Sequence, residues 1–220
     1  MADRLGDSEA REAKAYSVTV SRRQFLGAAA AAGASLALPA RLFAQVAPAQ
    51  PVINPRLKER ALAALEAKRD VIRNADVIGI ADFSKPSKDA RFYIVDLRSG
   101  FVTEHHVAHG KGSDPANFGF LQYFSNEIGS EATSQGAYLT GNAYQGKYGY
   151  SLRLDGLDPS NSNALARQIV VHTAWYAEPR MIDTFGKLGR SEGCFALPGV
   201  SHAEAMVRLG SGRLLYAEKV

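Results

Sequence analysis

A chain of 220 residues with 26 basic and 22 acidic side chains has a net charge of +4, and 46% of its residues are apolar, enough for a packed core. Six of the basic and four of the acidic residues fall in the first 49 positions, so the remainder holds 20 and 18 and is nearly neutral. Its lysines and arginines are scattered, which excludes the concentrated basic face of a nucleic-acid binder, and roughly 170 residues suit one domain better than two.

The first element is a targeting signal. Ser21-Arg22-Arg23-Gln24-Phe25-Leu26-Gly27 sets two adjacent arginines ahead of a stretch of alanine, glycine and leucine that runs to Leu38. This is the pattern of a twin-arginine signal, removed after Ala44 or after Ala49. The stretch is shorter than the ~20 apolar residues of a membrane span, so peripheral membrane contact or none is expected after cleavage. Export to the periplasm or cell envelope follows. Residues 1–49 are therefore read as signal and start of linker, 50–75 as linker and N-terminal helix, and 76–220 as the working domain.

Asn54-Pro55 offers an N-cap followed by proline at the first helical position. The segment Pro55 to Asn74 is rich in Ala, Leu, Glu, Lys and Arg, with Leu57, Ala61, Ala64, Leu65 and Ile72 near one face, which predicts one helix packed on the outside of the domain. Beyond Ala75 the period becomes that of strands. Val77 to Phe83 is a short apolar run, and Arg91 to Leu97 and Phe101 to Val107 predict a hairpin around Arg98-Ser99-Gly100. Further strands are expected at Gly136 to Thr140, Tyr150 to Leu154, Gln168 to Thr173 and Arg213 to Ala217, separated by glycine, asparagine and serine clusters. The fold class is mainly β, an antiparallel sandwich or barrel. Two helices are expected within it, Asn161 to Arg167 and one opening at Ser201, where Ser201 and Glu204 have capping-box spacing.

His105, His106 and His109 lie close together near Asp114, but neighbouring strand residues face opposite ways, so no metal site is expected there. No cofactor site is expected either. Tyr123, Phe124, Tyr138, Tyr144, Tyr148 and Tyr150 read mostly as core and turn residues, a few of them lining a cleft. Trp175 reads as core before pocket wall. The stretch Asn117 to Gly136 is either a lid or a plain surface loop.

Cys194 is the only cysteine. In an exported protein a thiol normally finds a disulfide partner, so this one is buried, paired between chains, or kept for chemistry. It sits in Gly189-Arg190-Ser191-Glu192-Gly193-Cys194-Phe195, downstream of His172 in the strand-like run Ile169 to Thr173. A thiol with a pKa near 8.5 needs a base such as an imidazole to attack at neutral pH, and the amides of Gly193 and Cys194 in a glycine turn could face a developing oxyanion. That arrangement supports acyl transfer through a thioester. On these residues alone an inert buried cysteine is equally open.

His172, a gap of 18 residues, and then Ser191-Glu192-Gly193-Cys194 resembles the signature of the L,D-transpeptidase family of YkuD fold. The run Gly189 to Pro198, the piece Gly146 to Leu157 and the stretch Asn163 to Tyr176 resemble its murein L,D-transpeptidase catalytic domain branch. The resemblance implies a cysteine-dependent acyltransferase of cell-wall biogenesis acting on peptidoglycan stem peptides. Cys194 would attack the carbonyl before the terminal D-alanine of a tetrapeptide, and the amine of a neighbouring stem would resolve the thioester. His172 would move the protons, the Thr173 position would orient it through its backbone carbonyl, and the amides of Gly193 and Cys194 would hold the oxyanion.

Arg190, Ser191, Tyr150 and Arg153 are the substrate-binding candidates, with Lys147 a further cation near them. Glu192 departs from the family pattern, which has histidine there, and its side chain is expected to point away from the sulfur. A monomer is expected. An L,D-carboxypeptidase of the same mechanism, with water as the resolving nucleophile, and a non-catalytic wall-binding protein on the same fold are the alternatives.

Overall fold

The computed structural model describes residues 49–220. The expected twin-arginine signal lies outside the described residues. A single eight-stranded sheet curls into a nearly closed barrel, so the expectation of a mainly β architecture is met. Its strands are β1 (Val77–Asp82), β2 (Phe92–Asp96), β3 (Val102–His105), β4 (Gly136–Gly146), β5 (Gly149–Gly156), β6 (Val170–Thr173), β7 (Phe195–Leu197) and β8 (Leu214–Glu218), in the order β3-β2-β1-β8-β4-β5-β6-β7. Three helices accompany them: α1 (Pro55–Ala67), α2 (Pro179–Phe185) and α3 (Gly199–Arg208). The pairing is mainly antiparallel, but β1 runs parallel to β8 and β6 parallel to β7.

Side-chain alternation along each strand divides the apolar residues between two cores. One lies within the curl and takes Ala81, Phe92, Ile94, Tyr138, Leu152, Leu154, Val171, Phe195, Leu197 and Leu215, with Ala205 and Leu209 arriving from α3 and the turn after it. The other takes the opposite faces, Ile78, Ile80, Tyr93, Val95, Ala137 and Leu214, and is covered by Leu57, Ala61 and Leu65 of α1. The α1 helix begins as its sequence directs, with the Asn54 side chain accepting from the Arg56 amide at 3.0 Å and proline in the first turn. Its buried stripe makes the helix part of the folded body.

Several local expectations are corrected. Residues 161–167 form successive turns and no helix. Asparagine side chains there bond the backbone directly: Asn161 donates to the Ala137 carbonyl at 2.8 Å and accepts from the Asp158 amide at 2.9 Å, and these compete with helical pairing. The last helix opens at Gly199 with no side-chain cap, so the box at Ser201 does not form. Glu204 instead accepts from Thr103 and Arg208. The short helix α2 and strand β7 were not expected from sequence.

Behind the sheet's edge, the segment between β3 and β4 is tied to β7 and to the turn that carries Cys194. Ala108 donates to the Ala196 carbonyl at 2.8 Å, Ser191 to that of His109 at 2.9 Å, and Lys111 to that of Ser191 at 2.8 Å. Beneath this seam Arg91 is fully buried. Its guanidinium donates to the Val107 carbonyl through Nε (3.1 Å) and Nη2 (2.9 Å), to the Lys85 carbonyl (2.8 Å), and to His109 Nδ1 (2.7 Å). It also lies over the Phe83 ring, 4.9 Å from its centroid. Burial, together with the Arg91 charge beside it, holds His109 far below the ordinary imidazole range, so it is neutral and can accept. His106 meets the Lys88 carbonyl at 3.0 Å and His105 meets Thr103 and Glu204. The three clustered histidines thus serve three different contacts.

Candidate active site

The register of β6 and β7 brings the candidate residues His172 and Cys194 together. Val171 pairs with Phe195 and His172 with Ala196, so Cys194 falls beside Val170 as the ladder continues. Val171 and Phe195 face the interior core, which puts His172 and Cys194 on the opposite side of the sheet. Both line a cleft of about 270 Å³ with Lys111, Tyr148, Tyr176, Arg190, Ser191 and Glu192. A larger hollow of about 460 Å³ next to it is lined by Tyr144, Arg153, Gln168 and Val170, without either reactive residue.

His172 Nδ1 contacts the backbone oxygen of Thr173 at 2.9 Å. A carbonyl only accepts, so Nδ1 carries the proton and Nε2 keeps its lone pair. The Tyr148 ring stacks on the imidazole at 4.6 Å between centroids, with 24° between planes. Burial pushes the imidazole below its ordinary range, against the Thr173 bond, which favours protonation. The resting ring is neutral and basic at Nε2.

The thiol is also neutral at rest. Cys194 is 7% exposed, and its Sγ donates to the Gln168 carbonyl at 3.7 Å. Burial pushes its pKa up and the Glu192 charge adds to this, while the Val170 backbone and Arg167 oppose it. At rest the two side chains are therefore a thiol and a neutral imidazole.

The turn before the sulfur is built around Ser191, which is buried. Its hydroxyl donates to the Cys194 carbonyl at 2.7 Å and accepts from the Gly193 amide at 3.2 Å. Gly193 has φ of 111°, and a Cβ there would sit 2.9 Å from the Ala132 oxygen. Only glycine fits. Gly110 packs against it, since a Cβ there would come within 2.8 Å of the Gly193 backbone. Of the two amides expected to hold an oxyanion, that of Gly193 is thus already engaged. The Cys194 amide has no partner among the described residues.

The substrate-binding candidates separate in space. Arg190 and Ser191 line the cleft, with Arg190 Nη1 bound to the carbonyls of Asp114 and Pro115. Tyr150 is 54% exposed and is not among the lining residues. Arg153 lays its guanidinium over the Tyr144 ring, 4.1 Å from the centroid, and lines the neighbouring hollow. Glu192 is exposed and lies 3.5 Å from Lys111 Nζ, while Glu131 holds the same ammonium at 2.7 Å. Trp175, expected in the core, is 66% exposed.

Sequence reasoning missed Lys111 and Tyr176 as cleft residues and Arg167 as a support. Arg167 donates to the carbonyls of Ser125 and Ala132 and to Ser134, binding the segment before β4 to the turns that precede β6. Tyr148, one of the clustered tyrosines, becomes the ring that packs on the base.

Among solved structures, the chain is similar to an L,D-transpeptidase from Mycobacterium smegmatis, with 15% identity over 66% of this chain and 59% of that one, at a TM-score of 0.41. An L,D-transpeptidase from Mycobacterium tuberculosis H37Rv matches at 16% identity over 66% and 58%, with a TM-score of 0.38. The helical cell shape determining protein Pgp2 of Campylobacter jejuni, as a point mutant, matches at 15% over 76% and 57%, with a TM-score of 0.40. The chain thus spans less than two thirds of the length of these proteins. No curated protein sequence matches it. The family model described as L,D-transpeptidase catalytic domain matches residues 49–217, which takes in α1, β1 to β7, all but the last residue of β8, and both His172 and Cys194. The chain belongs to the L,D-transpeptidase catalytic domain family.

Proposed function

We propose that this protein is a peptidoglycan L,D-transpeptidase that acts on stem tetrapeptides through a thioester on Cys194. One observation carries the reading: a neutral imidazole with a free Nε2 and the chain's single thiol line one small cleft. Family membership supplies the reaction class.

In the first half-reaction Cys194 Sγ attacks the carbonyl that precedes the terminal D-alanine. His172 Nε2 takes the thiol proton as the C–S bond forms and returns it to the departing amine as the C–N bond breaks. The Cys194 amide donates to the oxyanion, where a fixed backbone donor counts for most. In the second half the amine of a neighbouring stem attacks the thioester, His172 takes its proton, and the sulfur leaves as a thiol.

The same reading includes export by the twin-arginine route to the periplasm or cell envelope, and action there as a monomer. The test is mass spectrometry of the purified protein with a tetrapeptide donor, with and without an amine acceptor. A donor adduct at Cys194, D-alanine release and a cross-linked product support it. Tripeptide as the sole product at saturating acceptor makes the protein a carboxypeptidase, and a Cys194→Ala variant with full turnover removes the cysteine mechanism.

A further inference from the structure

Glu192 stands two residues before the nucleophile in the same turn, and it lines the cleft with Cys194. A carboxylate there opposes formation of the thiolate by its charge, so it hinders the first half-reaction. What it can favour is the approach of a cation. Among the described residues its one ionic partner is Lys111 at 3.5 Å, and that ammonium is already held at 2.7 Å by Glu131. The Glu192 side chain is 59% exposed, so it can swing to an incoming group without unfolding anything. The other charges lining the cleft are both positive, Lys111 and Arg190. Two cations suit the carboxylates of a donor peptide, and one anion suits an ammonium.

We propose that Glu192 is the specificity-determining residue for the acceptor: it draws the primary ammonium of the second substrate into the cleft and sets its nitrogen against the thioester. This rests on the transpeptidase reading above and adds to it the residue that favours an amine over water. The ammonium first loses one proton to solvent. Its nitrogen then attacks the thioester carbon, His172 Nε2 accepts the second proton as the C–N bond forms, and that proton passes to Sγ as the C–S bond breaks. Glu192 orients and neutralises and does not itself become protonated. The separation from Lys111 matters because a carboxylate locked at 2.7 Å would have to be freed before it could receive an acceptor.

The experiment compares the full-length wild type with Glu192→Gln and Glu192→Asp, using a tetrapeptide donor and a lysine-type amine acceptor over a range of concentrations. Acyl-enzyme formation is followed by mass spectrometry, and the ratio of cross-linked to hydrolysed product by chromatography. For E192Q we expect acylation to speed up about two- to threefold as the opposing charge is removed, and the acceptor KM to rise about tenfold. E192D recovers at least half of that loss, and added salt weakens acceptor use in the wild type more than in E192Q. An acceptor KM in E192Q within twofold of wild type overturns the assignment, as does a slowing of acylation and aminolysis by the same factor. Absence of any adduct on the wild type removes the underlying transpeptidase reading as well, so the two failures are told apart. A thermal melt shows that the exposed substitution leaves the fold intact.

Discussion

Ser191 Oγ lies 2.7 Å from the carbonyl oxygen of Cys194 and 3.2 Å from the Gly193 amide, so one hydroxyl closes the turn on which Cys194 sits. It donates to one backbone group and accepts from another, and both of those groups are buried. Replacing it leaves a donor and an acceptor without partners, which costs about 1–3 kcal/mol when water cannot enter. The conformation at stake is that of Gly193 at φ 111°, which fixes where the Cys194 amide points.

Ser191→Ala is therefore expected to lower kcat by about tenfold or more with little change in KM, because the oxyanion donor is misplaced after substrate is bound. Ser191→Thr keeps the hydroxyl and recovers most of the rate if its methyl is accommodated. Steady-state kinetics with a tetrapeptide donor decides it. An alanine variant that changes KM alone would show that the hydroxyl binds substrate and does not set the turn.

The resting protonation states give a pH prediction. Burial lowers His172 below 6.5 and raises Cys194 above 9.0. Under the proposed mechanism the base works when neutral, so acylation is present above the folded His172 value and is lost as pH falls through it. The acid limb of kcat/KM should therefore lie below 6.5. Iodoacetamide should alkylate Cys194 slowly at pH 7, with a rate that climbs through a midpoint above 9. Tyr148→Ala uncovers the imidazole that Tyr148 stacks on, and should return the acid limb toward 6.5. A thiolate signature with a midpoint below pH 7 would mean that an ion pair already exists at rest.

The strands were legible wherever the pattern was local. Runs such as Val77 to Asp82 and Phe92 to Asp96 carry β-branched and aromatic residues on both faces because both faces are covered, one by the interior core and one by α1. Strand β7 was not legible, since three residues behind a glycine turn acquire strand character only through parallel pairing with β6, more than 20 positions earlier. The helix α2 has no buried residue, so it left no apolar stripe to read; proline at its start and left-handed Gly186 at its end define it.

Within the site, His172, Cys194, Ser191 and Arg190 could be found because strand pattern and motif point to them. Lys111 could not. It reaches the cleft through the backbone bond from its amide to the Ser191 carbonyl, a contact between segments 80 residues apart that no local spacing announces. Arg153 shows the converse, for its place in the motif suggested substrate, and the Tyr144 ring holds it over the neighbouring hollow.

The seam that carries Lys111 stands on Arg91, and this gives the last prediction. A fully buried guanidinium is tolerable here because the Val107 and Lys85 carbonyls and the His109 ring accept from it, while the Phe83 ring covers one face. Arg91→Met keeps the volume and removes every side-chain donor, leaving the buried Val107 carbonyl and an imidazole nitrogen unsatisfied, and the part-buried Lys85 carbonyl without its partner. The expected loss is about 3–5 kcal/mol, and at about 2–4 °C per kcal/mol for a domain of this size the melting temperature should fall by at least about 6 °C. Because residues 108–111 pair with the nucleophile turn, the same variant should lose activity at temperatures well below its own melting point. Calorimetry alongside a temperature series of the acylation rate tests both parts. Activity that persists up to the melting point would show that the seam is held by its backbone bonds alone, with Arg91 serving only the core.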